Sequence, residues 1–79
     1  MSEEEIKQQL RDWVVGKSKT AESVADDTPI IEQRVITSMQ VMDLILFIEK
    51  LRGRPIDAAK LQKGVFRDIN TIYGNFFVV

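Results

Sequence analysis

The chain has 79 residues, 44% hydrophobic and 29% charged, which suits one soluble domain built around one core. Eleven basic residues against twelve acidic leave a net charge of −1, so the basic excess of a nucleic-acid binder is missing. With no cysteine and no histidine there is no disulfide, no thiolate or imidazole metal ligand and no histidine base, and no apolar run reaches the roughly 18 residues of a membrane span.

The opening residues predict a helix over 3–16. Ser2 and Glu5 have capping-box spacing, and Glu3, Glu4 and Glu5 put negative charge at the positive end of the helix dipole. Ile6, Leu10, Trp13 and Val14 recur at helical spacing and form one face, with Trp13 as a core anchor. Gly16 is the expected stop. The start is acidic where a signal peptide would be basic and then apolar, so a cytoplasmic protein is expected.

Residues 17–37 have no sustained period and contain Pro29, so a loop is expected, with a short helical turn around Ala21 to Ala25 as an option. A connection of that length needs pinning, and Ile30, Ile31, Val35 and Ile36 are the anchors available. Asp26 and Asp27 read as solvated loop acids, because neighbouring side chains on an extended chain diverge.

A second helix is expected over 38–52. Thr37 and Gln40 repeat the capping-box spacing, making Thr37 the N-cap and Ser38 the first helical residue. Val41, Leu44, Ile45, Ile48 and Leu51 form a stripe sufficient to pack it. Yet nine of the fifteen residues from Ser38 to Arg52 are apolar, which leaves Met39, Met42, Leu46 and Phe47 in surplus. Gly53 and Pro55 end the helix.

A short helix over about 56–62 follows, with Ile56 and Leu61 inward and Gly64 as its end, and then a last helix over about 69–77 capped by Asp68. Ile69, Ile72 and Phe76 face the core, with Tyr73 beside them; Gly74 weakens this helix by about 1 kcal/mol relative to alanine. The fold class is therefore all-α: a small antiparallel four-helix bundle, with three longer helices, one short third helix and a long first loop.

A long loop leading to a serine at the head of an apolar helix, in "ITSMQVMDLILFIEKLRG", and a capped last helix in "GVFRDINTI" together resemble the acyl carrier protein family. The resemblance covers nearly the whole chain, 1–79, as a single carrier domain. Thr37 stands where the family has an aspartate, Met39 where it has a leucine, and Val35 where it has a glycine.

The resemblance implies that Ser38 carries a covalent 4'-phosphopantetheine derived from coenzyme A, and that cargo rides on its thiol as a thioester. Partners would be a phosphopantetheinyl transferase, a dedicated acyl- or aminoacyl-loading ligase and downstream acyl-processing enzymes. They would meet Met39, Met42 and Leu46, flanked by Asp43, Phe47 and Glu49. Such a carrier is not an enzyme and is expected to be a monomer, with no nucleic-acid or membrane partner.

The chemistry agrees with that assignment. A phosphodiester on Ser38 would lie beside the free N–H groups and positive dipole end of the second helix. Asp43 and Glu49 are offset by Lys50, Arg52 and nearby Arg34, so the helix is close to neutral. That implies weak electrostatic steering by ordinary fatty-acid enzymes and a specialised carrier. The alternative is a helical adaptor, or a degenerate carrier without the modification, that binds a partner helix through Met39, Met42, Leu46 and Phe47.

Overall fold

The structure is a computed structural model and describes residues 2–62 and 64–78. Among them are three α-helices and no strand: α1 (Glu3–Lys17), α2 (Gln40–Arg52) and α3 (Ile69–Phe76). The fourth helix expected over about 56–62 is only a single 3-10 turn, Ala58–Lys60. Pro55 brings no N–H, and Asp57 caps late by accepting a bond from the Ala59 amide at 3.0 Å, so no α-helical nucleus forms before Gly64 breaks the chain. Leu61, expected inside, is exposed at 41%, while Ile56 does turn inward.

α1 starts as its sequence dictates. The Ser2 hydroxyl accepts from the Glu5 amide at 3.2 Å, and the Glu5 carboxylate accepts from the Ser2 amide. The helix passes Gly16 and ends one residue later. Ser18 is extended at φ −74°, ψ 140°, and its hydroxyl accepts from the amides of Thr20 and Ala21. That local turn replaces the optional helix at 21–25.

The core is one cluster drawn from every segment. Leu10 and Val14 of α1, Leu44 and Ile48 of α2, and Ile69, Ile72 and Phe76 of α3 are buried around the loop anchors Ile30 and Ile36. Phe66 stacks on Phe76 with centroids 5.4 Å apart. Ile31 and Val35 pack at its margin, so the four expected anchors do hold the long loop.

Two backbone bonds fix the loop to the start of α3: the Ile30 amide donates to the Arg67 carbonyl at 2.9 Å, and the Asn70 amide to the Asp26 carbonyl at 3.0 Å. Asp26 is not the solvated acid expected. Its carboxylate pairs with Arg11, which also holds Glu4 and is raised further above its usual range by both acids, Asp26 first.

α1 and α2 run antiparallel: the Lys17 carbonyl meets the Gln40 side chain, and further back Trp13 meets Phe47. On the α3 side, Lys7 Nζ lies 2.7 Å from Glu3 and 3.0 Å from Asn70 Oδ1, and sits over the Tyr73 ring. Asp68 caps α3 as expected, its carboxylate accepting from the Thr71 amide at 2.7 Å.

Candidate functional site

The junction between the long loop and α2 is built by Thr37 and Gln40. The Thr37 hydroxyl accepts from the Gln40 amide at 3.3 Å, and Gln40 Oε1 accepts from the Thr37 amide at 2.9 Å. The expected capping box is therefore in place. Regular helix begins at Gln40 and not at Ser38, because the first bonds are tight: Gln40 N–H to the Thr37 carbonyl at 3.0 Å and Val41 N–H to the Ser38 carbonyl at 3.3 Å. Ser38 and Met39 occupy that 3-10-like first turn, and Met39 already has helical angles, φ −68°, ψ −33°.

Ser38 is exposed, and no described residue hydrogen-bonds its hydroxyl. A primary alcohol at the head of a helix, open to solvent and unshared, is geometrically free to accept a phosphodiester. Next to it begins an apolar band on the outer face of α2: Met39 is 84% exposed, Met42 68% and Leu46 64%. Asp43 lies exposed in the same stretch. The inner stripe packs as expected, with Leu44 and Ile48 buried and Val41, Ile45 and Leu51 partly so.

Phe47 and Glu49 have other occupations. Phe47 is half-buried and stacks on Trp13 with centroids 5.5 Å apart and planes 21° from parallel, so it belongs to the α1–α2 contact. Glu49 Oε2 accepts from the Ile56 amide at 2.8 Å and ties the chain beyond Gly53 back onto α2. Both sit at the edge of the apolar stripe, where residue type alone does not say whether a side chain turns in or out.

Gln40 is a residue whose importance extends beyond its capping role. Its Nε2 donates to the Lys17 carbonyl at 3.1 Å, so the group that caps α2 also clamps the end of α1. Nothing in the spacing of a capping box indicates such a second partner. A further unforeseen feature is Arg34, which has φ +57°, in the left-handed region that non-glycine residues seldom enter.

No helix among the described residues is long and apolar enough to cross a membrane. Among the same residues, no three acidic side chains gather as a metal site. Compared with known protein families and curated proteins, the chain matches no family model and no curated sequence.

Proposed function

We propose that the chain is a freestanding carrier domain that bears 4'-phosphopantetheine on Ser38 and offers a thioester-bound cargo to partner enzymes along the outer face of α2. The observation that carries this reading is the juxtaposition of an exposed, unshared Ser38 hydroxyl with the exposed band of Met39, Met42 and Leu46. A core-packing helix has no use for three large apolar side chains in water, whereas a surface that must serve several enzymes does. The order of helix, pinned loop, helix, single 3-10 turn and capped helix supports the likeness to acyl carrier proteins, the 3-10 turn standing for the short third helix.

In this reading the arm supplies the thiol on which the cargo is carried. The chain itself positions and presents. Thr37 and Gln40 bond to each other across Ser38, so the backbone that presents its hydroxyl to the transferase is held at the head of α2. The start of α2 favours the phosphate that would follow, through its free N–H groups and dipole. Glu49 and Phe47 act behind the surface, keeping α2 seated against α1 and the following loop. The carrier performs no catalysis of its own.

The test is intact mass after incubation with coenzyme A and a broad-specificity phosphopantetheinyl transferase. A gain of one phosphopantetheine, abolished by Ser38→Ala, supports the proposal. No gain in the folded wild-type protein overturns it. The same exposed band favours a second reading, a helical adaptor that docks a partner helix on Met39, Met42 and Leu46; there partner binding is indifferent to Ser38→Ala.

A further inference from the structure

The outer face of α2 carries charge as well as apolar surface. At about 100° per residue, Met39, Met42, Asp43, Leu46 and Lys50 fall within an arc of about 100°, opposite the buried Leu44 and Ile48. All five are exposed. Leu46 sits near the middle of the arc, Met42 on one flank, and Asp43 and Lys50 together on the other. Among the described residues, neither Asp43 nor Lys50 forms an ion pair within the chain.

The order of these residues is self-complementary. Asp43 lies three residues before Leu46, and Lys50 lies four after it. A two-fold axis at Leu46 sets two α2 helices antiparallel. It brings Asp43 of each copy to the level of Lys50 of the other, within one residue's rise of roughly 1.5 Å. The two-fold also keeps matching flanks on the same side of the pair, so acid and lysine face each other twice. A parallel pair would turn this flank toward the Met42 flank and leave all four charges without partners.

The apolar groups follow the same register. Met39 lies seven residues before Leu46 and Gly53 seven after it, so each Met39 meets the level of the other copy's Gly53. No side chain stands there, and no atom lies within 4 Å of the place a β-carbon would take. Met42 falls at a level between Leu46 and Gly53 of the other copy, where an unbranched thioether adapts to the gap.

We propose that the outer face of α2 docks the same face of a second copy of this chain, antiparallel, with Asp43 of each copy against Lys50 of the other. The result is an apolar centre with paired charges at its edge, the usual anatomy of an interface. Three large apolar side chains per copy fall short of the about 800 Å² that each partner buries in a stable complex. The association is therefore weak and reversible, and the monomer expected of a carrier persists at low concentration. The pairing covers the surface offered to partner enzymes, so self-docking and enzyme docking exclude each other. It rests neither on Ser38 nor on the carrier reading.

The experiment uses the full, unmodified chain labelled with nitrogen-15, followed by NMR from about 20 μM to about 2 mM, a range that brackets weak encounters. Expected are saturable, concentration-dependent amide shifts within residues 39–53 and a rotational correlation time that rises toward twofold. Asp43→Lys alone and Lys50→Asp alone each set like charges opposite one another at both contacts, and each should weaken association at least threefold. The neutral variants Asp43→Asn and Lys50→Gln should weaken it less, in the same direction. An equimolar mixture of Asp43→Lys and Lys50→Asp restores opposite charges at both contacts and should associate at least threefold more tightly than either variant alone. Leu46→Ser removes the centre and should abolish the concentration dependence.

Amide shifts that stay constant with concentration overturn the proposal and leave the band to a foreign partner. Association that the charge variants do not weaken, or a mixture that behaves as its components do, overturns it as well, since apolar adhesion without register gives both results. The carrier reading is judged separately by the mass gain at Ser38, which neither outcome alters.

Discussion

Gln40 Nε2 donates to the Lys17 carbonyl at 3.1 Å, while Oε1 of the same side chain accepts from the Thr37 amide. One residue thereby closes the capping box of α2 and joins it to the end of α1. The position of Ser38, two residues before Gln40, follows from that pair of bonds.

Gln40→Ala should therefore cost more than an ordinary N-terminal substitution. Loss of the reciprocal cap and of the interhelical bond together amounts to about 1–2 kcal/mol. Urea unfolding followed by Trp13 fluorescence reads it directly. Gln40→Glu keeps the acceptor for Thr37 and loses the donor to Lys17, so it should fall between wild type and Gln40→Ala.

Substitutions on α2 should divide by face. Phe47→Ala removes the ring stacked on Trp13 and should destabilise by about 2–3 kcal/mol, less than a fully buried phenylalanine because the side chain is half-exposed. Met42→Ala and Leu46→Ser lie on the solvent side and should change stability by less than about 0.5 kcal/mol. Under the carrier proposal these two slow arm transfer several-fold, read as the initial rate of mass gain. A stable variant with an unaltered rate at both positions would remove the outer face of α2 from the transferase contact.

Glycines 74 and 53 give opposite outcomes. Gly74 lies inside α3, and no atom stands within 4 Å of the place a β-carbon would take, so Gly74→Ala should stabilise by about 1 kcal/mol. Gly53 ends α2 at φ +78° and also has open space, yet Gly53→Ala should destabilise by about 1 kcal/mol, because the left-handed backbone penalises the added carbon. Paired thermal unfolding scans check both signs.

Thr37→Asp tests the departure of this chain from the family motif. Aspartate keeps an oxygen for the Gln40 amide and adds charge at the favourable end of α2, worth about 0.3–1 kcal/mol. Under the carrier proposal the new carboxylate also speeds arm transfer at limiting magnesium. The comparison is of initial rates for the two proteins across a magnesium series.

Much of the fold was legible in local chemistry. Ser2 with Glu5 and Asp68 ahead of Ile69 announced two helix starts, because capping is decided within four residues of sequence; Thr37 with Gln40 announced the reciprocal bonds at the head of α2, whose regular helix begins at Gln40 and not at the expected Ser38. Ile30 and Ile36 announced the pinned loop, because apolar residues in a structureless stretch have few other uses. What escaped depends on partners distant in sequence. Glu49 is occupied by an amide seven residues on, Phe47 by a ring on another helix, and Asp26 by Arg11. The left-handed turn at Arg34 leaves no signal, since arginine is not a residue that conformation selects.

At the candidate site, Met39, Met42 and Leu46 were visible as part of an apolar surplus over what packing needs, although Phe47 of the same surplus packs on Trp13, and Ser38 was singled out by the resemblance.

The most direct measurement is fragmentation mass spectrometry of the protein isolated from its own cells. Phosphopantetheine, with or without an acyl or aminoacyl group on its thiol, is expected on the peptide containing Ser38 and on that residue. A population in which Ser38 is uniformly a free serine, or in which the arm sits on another hydroxyl, would contradict the carrier reading.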